Sequence, residues 1–471
     1  MSKHDIHERI EARRTDLVSL TRDLWANPEL ALEETASAEL LASTLSEEGF
    51  EVEYHVGGMP TAFVASYGDG DPKIGILGEY DALPGLSQKS VPYRDPVEAG
   101  GSGHGCGHNL FGVGSLGAAV AVKEAIESGD LSGTVRYYGC PAEETLVGKV
   151  YMARAGVFDD LDAALTWHPS HVSAPWKGRS LAMNSIEYTF HGESAHAAQS
   201  PESGRSALDA VELMNTGVEF MREHISDDAR IHYSITEGGG APNVVPAEAS
   251  VWYFVRAPSR HTTEKITDWV DDVAEGAALM SQTTVKRRFI TGCHDYLAND
   301  TISDVLLSNM RELGAIEYTE SDREFAAELQ ETLSEETIEN RLADLQSDER
   351  EAARDRALYA EPMASFDEGT VMKGSTDVAD VSWITPVAQF WAASWPIGTP
   401  SHSWQAVAAN GDFAAKSAVY AAKAIAGTAY DLLVDPSILE AAAEELDATR
   451  PSEYETPLPE SAEPPTNMEV N

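Results

Sequence analysis

The sequence predicts an α/β fold in which a mixed, mostly parallel sheet flanked by helices is interrupted by a smaller α+β unit. Short β-rich runs alternate with helical stretches in the first third of the chain, which is typical of layered α/β proteins. After Pro175 the pattern changes to longer strands and two amphipathic helices. The length of 471 residues also exceeds what one hydrophobic core normally serves, so we expect more than one structural unit.

The N-terminal part of the chain is predicted to supply the first helices and strands of the larger unit. Apolar residues recur at helical spacing from Ile6 to Leu24, and a second helix that begins near Thr35 is expected to end at Gly49. A long apolar helix is predicted over residues 110–126. Four β-rich runs are predicted to form buried strands: 62–67, 73–80, 134–139 and 163–168.

The inserted α+β unit is assigned to residues 183–296, and the segments 1–182 and 297–435 are assigned to the larger unit. Within the insertion, strands are predicted at 185–192, 231–238 and 250–257, and helices at 206–224 and 263–280. A strongly charged helical insertion at about 299–361 is interpreted as a solvated or partner-contacting flap. The remaining segment, 436–471, is an acidic, Pro-rich tail that we expect to be disordered from Pro451 onward.

The charge balance is strongly acidic. The chain has 33 basic residues, of which 22 are Arg and 11 are Lys, against 78 acidic ones, and its net charge is −45. Halophilic proteins use such surfaces, so we interpret the charge as adaptation to high salt, with an acidic protein of an ordinary cytosol as the alternative. The charge argues against nucleic acid and anionic membranes as partners.

Cysteine usage and hydropathy suggest a cytoplasmic location. The three cysteines, Cys106, Cys140 and Cys293, are too few and too uneven in number for a disulfide framework, and they suit a reducing compartment. The polar start of the chain lacks the apolar stretch of a secretory signal. No apolar run approaches the roughly 20 residues that a membrane helix requires.

The first candidate for chemistry is the motif GHGCGHN at residues 103–109. It places Cys106 and His108 two positions apart in a glycine-rich loop that leads into a helix. A thiolate and an imidazole are good ligands for zinc or a similar divalent ion. On its own, the pair is weak evidence, and a small cysteine beside a surface histidine in a loop is the favoured interpretation.

A second candidate is the motif GCPAEE at residues 139–144, which follows a predicted strand. Two carboxylates forced into one site are not comfortable as two free anions, so their roles are expected to differ. We predict that Glu144 binds a metal and that Glu143 acts on protons. The alternative is an ordinary acidic helix start, where glutamate is favourable in any case.

Two further histidines and an aspartate also lie at strand ends or in loops. His168 ends an apolar β run, His402 lies in a loop before the last long helix of the larger unit, and Asp81 follows the second predicted strand. A lone histidine in either setting is usually structural, but ligands in open α/β sheets bind at the carboxyl ends of the strands. Asp81 is predicted to orient a metal-bound imidazole.

Taken together, the motifs GEYDALPG, GCGHN, PAEE, SAHAAQSP and the lone His168 resemble the aminoacylase and carboxypeptidase-like metallopeptidase family. Within it they are similar to the branch with a cysteine in the metal site. The segments WHPS, GGGAPNVVPAEA and GSTDVADVSW resemble the B-type subunits of aminobenzoyl-glutamate hydrolases. The resemblance spans roughly residues 5 to 435. It implies a zinc-peptidase-like catalytic domain and an inserted dimerisation or lid domain.

Residue by residue, the resemblance implies that two divalent ions are held by Cys106, His108, Glu144, His168 and His402. Glu143 corresponds to the general base of the family. The chain departs from many members at Asn109, where they have Asp after the CGH triplet. The ions are expected to be Zn or Mn, with Co or Ni as alternatives, because mixed thiolate, imidazole and carboxylate ligation suits them all.

The resemblance also assigns substrate contacts to the inserted domain. His196 in SAHAAQSP is similar to the family histidine that reaches across a dimer toward the scissile carbonyl, where an imidazole can stabilise an oxyanion. Asn243 and Arg256 are similar to groups that hold the free carboxylate of the substrate, a task that suits the fork of Arg. The implied partner is a second copy of the chain in a homodimer or higher homo-oligomer, or a related sister subunit.

The function implied is a metal-dependent amidohydrolase that cleaves N-acyl amino acids such as p-aminobenzoyl-glutamate, using metal-activated water and Glu143 as the base. A dipeptidase or an N-acetyl amino acid deacetylase with the same site is an alternative. A further alternative is a catalytically silent subunit that lends its surface to a sister chain. A covalent scheme with Cys106 as the nucleophile is the rival mechanism, but metal ligation would occupy the same lone pairs.

Overall fold

A computed structural model of the chain describes residues 2–466. The strands in chain order are β1 (Glu51–Tyr54), β2 (Phe63–Asp69), β3 (Lys73–Glu79), β4 (Gly133–Cys140), β5 (Ala163–Ser170), β6 (Ala174–Pro175), β7 (Ala182–His191), β8 (Arg230–Glu237), β9 (Glu248–Ala257), β10 (Thr284–Cys293) and β11 (Val387–Ala393). Within the described residues they form a seven-stranded sheet, called the body sheet, and a four-stranded sheet, called the lid sheet.

The helices surround these sheets. In chain order they are α1 (Lys3–Ala12), α2 (Arg14–Ala26), α3 (Thr35–Glu47), α4 (His108–Glu127), α5 (Gly148–Arg154), α6 (Ala207–Met221), α7 (Arg260–Ser281), α8 (Asp300–Leu313), α9 (Glu320–Gln330), α10 (Glu335–Ala343), α11 (Ser347–Ala353), α12 (Val378–Ile384), α13 (Trp404–Ala409), α14 (Ala415–Val434) and α15 (Pro436–Thr449). The helix predicted from Ile6 to Leu24 is therefore two helices, which meet at Arg13.

The body sheet has the order β1-β2-β4-β3-β5-β11-β6. Its four central strands, β4, β3, β5 and β11, run parallel, and the outer strands are antiparallel to their neighbours. Alternate residues of a strand face opposite helical layers, so Ile76 packs in the core that contains α4 and α14, and Leu77 packs in the core that contains α5 and α12. Burial on both faces explains the continuous apolar runs in the sequence. The prediction of a mixed, mostly parallel sheet flanked by helices is confirmed.

Helix α4 runs through the centre of the body. Among residues 2–466 it is the helix with the length and composition of a membrane span, but 89% of its most apolar window is buried inside the fold. It packs against α14 and the body sheet, and it begins at His108 in the glycine-rich loop. This core helix therefore fixes one predicted ligand at the edge of the sheet.

The lid sheet is antiparallel, with the order β10-β7-β9-β8. Helices α6 and α7 cover one face and form an apolar core with it. The sequence predicted three of its strands but not β10, because Lys286, Arg287 and Arg288 obscure the β pattern of that strand. The α+β character predicted for the insertion is confirmed.

The acidic segment that was interpreted as a flap is anchored to the body. Its first helix, α8, buries Ile302, Leu306 and Met310 in the same core as α14. Further along the segment, Leu342 and Leu345 belong to a small apolar cluster with residues of the body, Val172, Ala174 and Ile397 among them. The charged sequence therefore forms the outer faces of helices whose few apolar residues are buried.

The tail differs from the prediction of disorder. Residues 451–466 pack against the body, and Leu458 is buried. His294 Nε2 lies 2.8 Å from the carbonyl oxygen of Glu455, and Arg154 donates to the carbonyl oxygen of Ala462 at 2.7 Å. Composition predicted disorder here, but Leu458 joins an apolar cluster of the body and the buried His294 contacts the tail backbone, and composition does not report such partners. The last residues, 467–471, lie outside the described residues.

Candidate metal centre

The predicted site residues come from the carboxyl ends of the central strands and from two loops. Strand β3 ends at Glu79, two positions before Asp81, and strand β4 leads into the turn that carries Glu143 and Glu144. His168 lies near the end of β5. Because parallel strands end at the same edge of a sheet, these side chains converge there. The loops before α4 and α13 add Cys106, His108 and His402.

Within the described part of the chain, three groups of side chains bring possible ligand atoms within 4.8 Å of one another. The groups are Cys106, His108 and His168; Cys106, Glu144 and His402; and Glu79, His108 and Glu143. The structure therefore brings together all five residues that the resemblance assigns to metal binding. It also adds Glu79, which the sequence did not single out.

Short distances link the members of these groups. Cys106 Sγ lies 3.3 Å from His168 Nε2, and His402 Nε2 lies 3.2 Å from Glu144 Oε2. His108 Nε2 lies 3.2 Å from Glu79 Oε2 and 3.9 Å from Glu143 Oε2. Cys106 and His108 each belong to two groups, so they connect the three groups into one cluster.

Asp81 orients this cluster. Its Oδ1 accepts a hydrogen bond from His108 Nδ1 at 2.7 Å, and its Oδ2 accepts one from the backbone N–H of Glu144 at 2.9 Å. The first bond fixes the imidazole and leaves Nε2 free for a metal, as carboxylates generally do for ligating histidines. The second holds the turn that carries both glutamates.

The turn after β4 has an unusual backbone. Ala142 has a φ of 56°, and its N–H donates to Glu34 Oε1 at 2.9 Å. A Cβ at Gly148 would lie 1.9 Å from the carbonyl oxygen of Pro141, so only glycine fits there. A buried carboxylate and a close backbone contact thus hold the turn in place. Burial, with the negative charge of Asp81, raises the pKa of Glu34 to about 8.

Glycine also permits the approach of the two loops. Gly107 has a φ of +82°, in the left-handed region, directly before α4. A Cβ at Gly105 would lie 2.6 Å from Leu86 Cδ1 and 3.3 Å from the Cα of His402. His402 donates its backbone N–H to the carbonyl oxygen of Gly105 at 3.0 Å. The loop with Cys106 and the loop with His402 therefore lie in direct contact.

Charge and burial perturb the pKa values in the cluster. Burial and Glu144 raise the pKa of the Cys106 thiol, but the charge of His168 and hydrogen bonds with His108 and His168 outweigh them and lower it to about 6. Hydrogen bonds with Cys106 and Glu144 raise the pKa of His402 to about 11. Burial, followed by the negative charges of Glu79 and Asp377, raises the pKa of Glu143 well above its usual range.

These residues fit a divalent metal site. Among residues 2–466, Glu144 Oε1 is buried without a hydrogen-bond partner, and the buried atoms Glu79 Oε2 and His108 Nε2, although 3.2 Å apart, form no hydrogen bond either. Buried polar atoms without partners are costly, and here they point into a cluster of thiol, imidazole and carboxylate groups. Zinc and similar ions accept this donor set.

A buried lysine that no sequence motif indicated stands behind the cluster. Lys149 Nζ lies 2.6 Å from Glu79 Oε1 and 2.6 Å from Asp377 Oδ1, and all three side chains are buried. Glu79 has one oxygen on this lysine and the other directed toward His108. A signal for Glu79 did exist, because it is the last residue of β3 and lies two positions before Asp81, at the edge where ligands bind in open α/β sheets.

The cluster opens into a cavity of about 720 Å³. Arg256, one of the three lid residues predicted to bind substrate, lines this cavity in its own chain. His196 and Asn243 are exposed and lie outside the cavity wall within the described chain. They are adjacent to each other, since Ala197 donates its N–H to the carbonyl oxygen of Asn243 at 3.0 Å. The members of the cluster that line the cavity are Cys106, Glu143, Glu144, His168 and His402.

Asn109 faces away from the cluster. Its Nδ2 donates to the carbonyl oxygens of Thr21 at 3.2 Å and Asn410 at 3.0 Å. An amide suits this position because an aspartate would direct its oxygen toward two carbonyl oxygens. The Nδ2 group of Asn109 is therefore satisfied by local hydrogen bonds, whereas its Oδ1 is buried without a partner in the described chain.

Residues 75–429 match the family model described as peptidase family M20/M25/M40. The chain belongs to this family. Membership makes it a metal-dependent amide hydrolase and confirms the resemblance inferred from the motifs. The matched region contains all the residues of the three groups of possible ligands.

Two curated relatives and one solved structure show which members of the M20 family this chain resembles. It is 43% identical to the B-type subunit of p-aminobenzoyl-glutamate hydrolase from Escherichia coli (strain K12), over 98% of each chain. It is 30% identical to the Xaa-Arg dipeptidase of Mus musculus, over 92% of this chain and 89% of the relative. A dinuclear metal binding peptidase of the M20 family from Bacillus subtilis has the same fold, with a TM-score of 0.51 and 19% identity, over 87% of this chain and 98% of that chain.

Proposed function

We propose that this M20 enzyme hydrolyses the amide bond of N-acyl amino acids and that p-aminobenzoyl-glutamate is its preferred substrate. The observation that carries the proposal is the 43% identity to the B-type subunit of p-aminobenzoyl-glutamate hydrolase over nearly the whole of both chains. The cluster of possible ligands in the cavity supports the chemistry, since its donors suit the ions that amide hydrolysis requires.

The charges of the cavity support a dicarboxylic leaving group. Among the described residues, the arginines on the cavity wall are Arg256, from the lid sheet, and Arg341, from α10. The guanidinium fork binds carboxylates through two parallel hydrogen bonds. A glutamate product has two carboxylates, so each arginine would receive one of them. Asn243 lies outside the cavity wall of its own chain, so its contact with a carboxylate would be made in the site of a partner.

Cys106, His108, Glu144, His168 and His402 would hold two divalent ions. When bound, such ions would lower the pKa of a water molecule toward ~7 and polarise the scissile carbonyl. Zn and Mn are the favoured identities, and Co and Ni suit the same donors. Asp81 would keep the imidazole of His108 in the orientation required for binding.

Glu143 would move the proton. Its carboxylate lines the cavity, 3.9 Å from His108 Nε2, so it faces the place where the attacking water and the scissile bond must lie. It would take a proton from the water and deliver it to the leaving nitrogen, a task that general acid-base catalysis assigns to a positioned carboxylate.

A second copy or a sister chain would complete the site. His196 is exposed and outside the cavity wall of its own chain, so its proposed role at the scissile carbonyl requires the site of a partner. The lid also exposes Phe220, Leu279 and Met280, which are large apolar side chains typical of contact surfaces. The partner would be a second copy of the chain or a related sister chain, because the Escherichia coli hydrolase has both A-type and B-type subunits.

An arginyl dipeptide is the second candidate substrate. The relative from Mus musculus is an Xaa-Arg dipeptidase, and the carboxylates of Asp344 and Asp367 also line the cavity of this chain. A cationic side chain would pair with them, whereas a glutamate side chain would be repelled. The two candidate substrates therefore require opposite charges on the cavity wall that their side chain contacts.

The test is a substrate panel with the isolated, metal-loaded chain in molar salt, which suits a net charge of −45. The panel comprises p-aminobenzoyl-glutamate, hippurate, N-acetyl-glutamate and an arginyl dipeptide. We expect the highest kcat/KM for p-aminobenzoyl-glutamate. A preference for the arginyl dipeptide would replace the proposal with the second candidate. No turnover with metal bound would show that the chain alone is not the hydrolase, either because it is a silent subunit or because it lacks a sister chain.

A further inference from the structure

The wall of the cavity beside the metal cluster is aromatic. Trp391 is the register partner of His168 on the neighbouring parallel strand, and the two rings lie 5.6 Å apart. The next ring, Trp176, lies 5.5 Å from Trp391 and is itself stacked on Tyr296 at 4.2 Å. Trp176 and Trp391 both line the cavity. A series of aromatic rings, tilted against one another, therefore begins at a predicted metal ligand and leads away from it.

A polar side chain lies further along this wall. Gln389 precedes Trp391 by two positions on β11, so the two side chains share a face of the strand. The side chain lines the cavity, although Gln389 is only 4% exposed. Its Oε1 is buried and has no hydrogen-bond partner anywhere in the described chain.

A purely structural role does not explain this glutamine. An unpartnered buried amide oxygen costs free energy, whereas an apolar side chain of similar size would pack there without that cost. The contact of Gln389 with Trp176 uses only the backbone, since its carbonyl oxygen accepts the N–H of Trp176 at 2.8 Å. The side-chain amide is therefore available to a ligand in the cavity.

We infer that this wall is the acyl subsite of the enzyme, in which Trp391 and Trp176 contact an aromatic acyl ring and the Gln389 amide oxygen accepts a hydrogen bond from a para amino group. This inference rests on the proposed function and specifies its substrate class. Two residues of a strand span roughly 6.6 Å, which is close to the length of a para-substituted benzoyl group. A ring whose carbonyl lies beside His168 would therefore reach Gln389 with its far end.

The inferred subsite predicts an order of acyl groups. A p-aminobenzoyl group would fill the aromatic wall and satisfy the amide. A benzoyl group would contact the aromatic wall but leave the Gln389 amide oxygen unpaired. An acetyl group would neither cover the aromatic wall nor pair with the amide oxygen. Sites that provide a hydrogen bond to a substrate N–H discriminate against the analogue that lacks it, because their own polar atom is left unpaired.

The first test is equilibrium binding of p-aminobenzoate and benzoate to the metal-loaded chain, measured by calorimetry. We expect wild type to bind p-aminobenzoate about tenfold more tightly, and Gln389→Leu to reduce this ratio to about one. Thr166→Val is the matched control. Thr166 is the register partner of Gln389 on β5 and also has a buried hydroxyl oxygen without a partner in the described chain, but it does not line the cavity.

We expect Thr166→Val to retain the tenfold ratio. Equal binding of the two acids by wild type, or an unchanged ratio in Gln389→Leu, would overturn the inference. A ratio lost equally in Thr166→Val would do so as well, because it would assign the effect to packing of the sheet.

The second test compares kcat/KM for p-aminobenzoyl-, benzoyl- and acetyl-glutamate. It separates the inference from the proposed function. Hydrolysis of all three without preference would leave the amidohydrolase in place and remove the subsite. No hydrolysis of any N-acyl glutamate, together with selective binding of p-aminobenzoate that depends on Gln389, would remove the proposed function and leave the subsite.

Discussion

The body sheet and the lid sheet differ in what they bury. At the carboxyl edge of the body sheet, Glu79, Asp81, His108 and Lys149 are all buried within a few ångströms of one another. In the lid, the buried side-chain pairs Tyr253–Asn215 and Asn184–Thr267 are neutral, and the buried cation of Arg260 donates to the backbone carbonyl oxygens of Met183 and Cys293. Buried charge is costly unless it is paired or bound to an ion. The body therefore concentrates buried charge at the proposed site, where it destabilises the fold unless the charges are paired or bound to ions. The lid buries mainly neutral groups and exposes side chains that can contact a partner.

The largest expected effect concerns the proton-transfer group of the body. We expect Glu143→Gln to lower kcat by roughly 10²- to 10⁴-fold, because the amide cannot accept the proton of the attacking water. Metal content, measured by plasma mass spectrometry, is expected to stay close to that of wild type. Glu53→Gln, which removes an exposed carboxylate from β1, is the control for the change in net charge. Equal activity in Glu143→Gln would remove Glu143 from its proposed role.

The next effect concerns the stability of the buried charges. Lys149→Met leaves the carboxylates of Glu79 and Asp377 without their shared cation, so we expect the apo chain to lose ~3–5 kcal/mol of unfolding free energy. Urea unfolding in molar salt with a chelator measures this loss.

The control variant changes Lys73, which lies at the other end of β3 from Glu79. Lys73→Met removes the surface ion pair with Asp160 and is expected to shift the unfolding midpoint far less. Similar shifts for the two variants would show that the buried cluster is no more sensitive than the surface.

The smallest expected effect concerns the lid. His196→Ala is expected to lower kcat by roughly 10²- to 10³-fold, the usual loss for one oxyanion donor, with unfolding free energy unchanged because the side chain is exposed. If His196 acts on the partner's site, mixing His196→Ala with Glu143→Gln restores one complete site per mixed dimer. Mixing Glu143→Gln with Glu144→Gln restores none, since both changes lie on the body. Absence of rescue in the first mixture would contradict action across the dimer.

Much of the site was predictable because its residue types are unusual where they occur. Each motif alone has an ordinary structural alternative, but a cysteine and a histidine in a glycine-rich loop, paired glutamates after a strand and two further histidines together predict a metal site. The sequence missed Lys149 because it lies on α5, a helix with no polar pattern that distinguishes it, and its partner Asp377 is 228 positions away. Only the fold brings the two together.

The fold was predictable where burial produces a regular pattern. The central strands of the body sheet are buried on both faces and therefore appear as apolar runs. Strand β10 was missed because its exposed half carries a run of basic residues. The order of the tail was missed because it depends on single contacts, such as the hydroxyl of Tyr454, which donates to Asp380 at 2.9 Å.

The tail also has a practical consequence for anyone who modifies this protein. Its contact with Arg154 is on the helix that follows the glutamate turn, and its contact with His294 is just after the last strand of the lid sheet. A chain shortened after Thr449 would lose both attachments at once. Purification tags and fluorescent reporters therefore belong at the amino terminus.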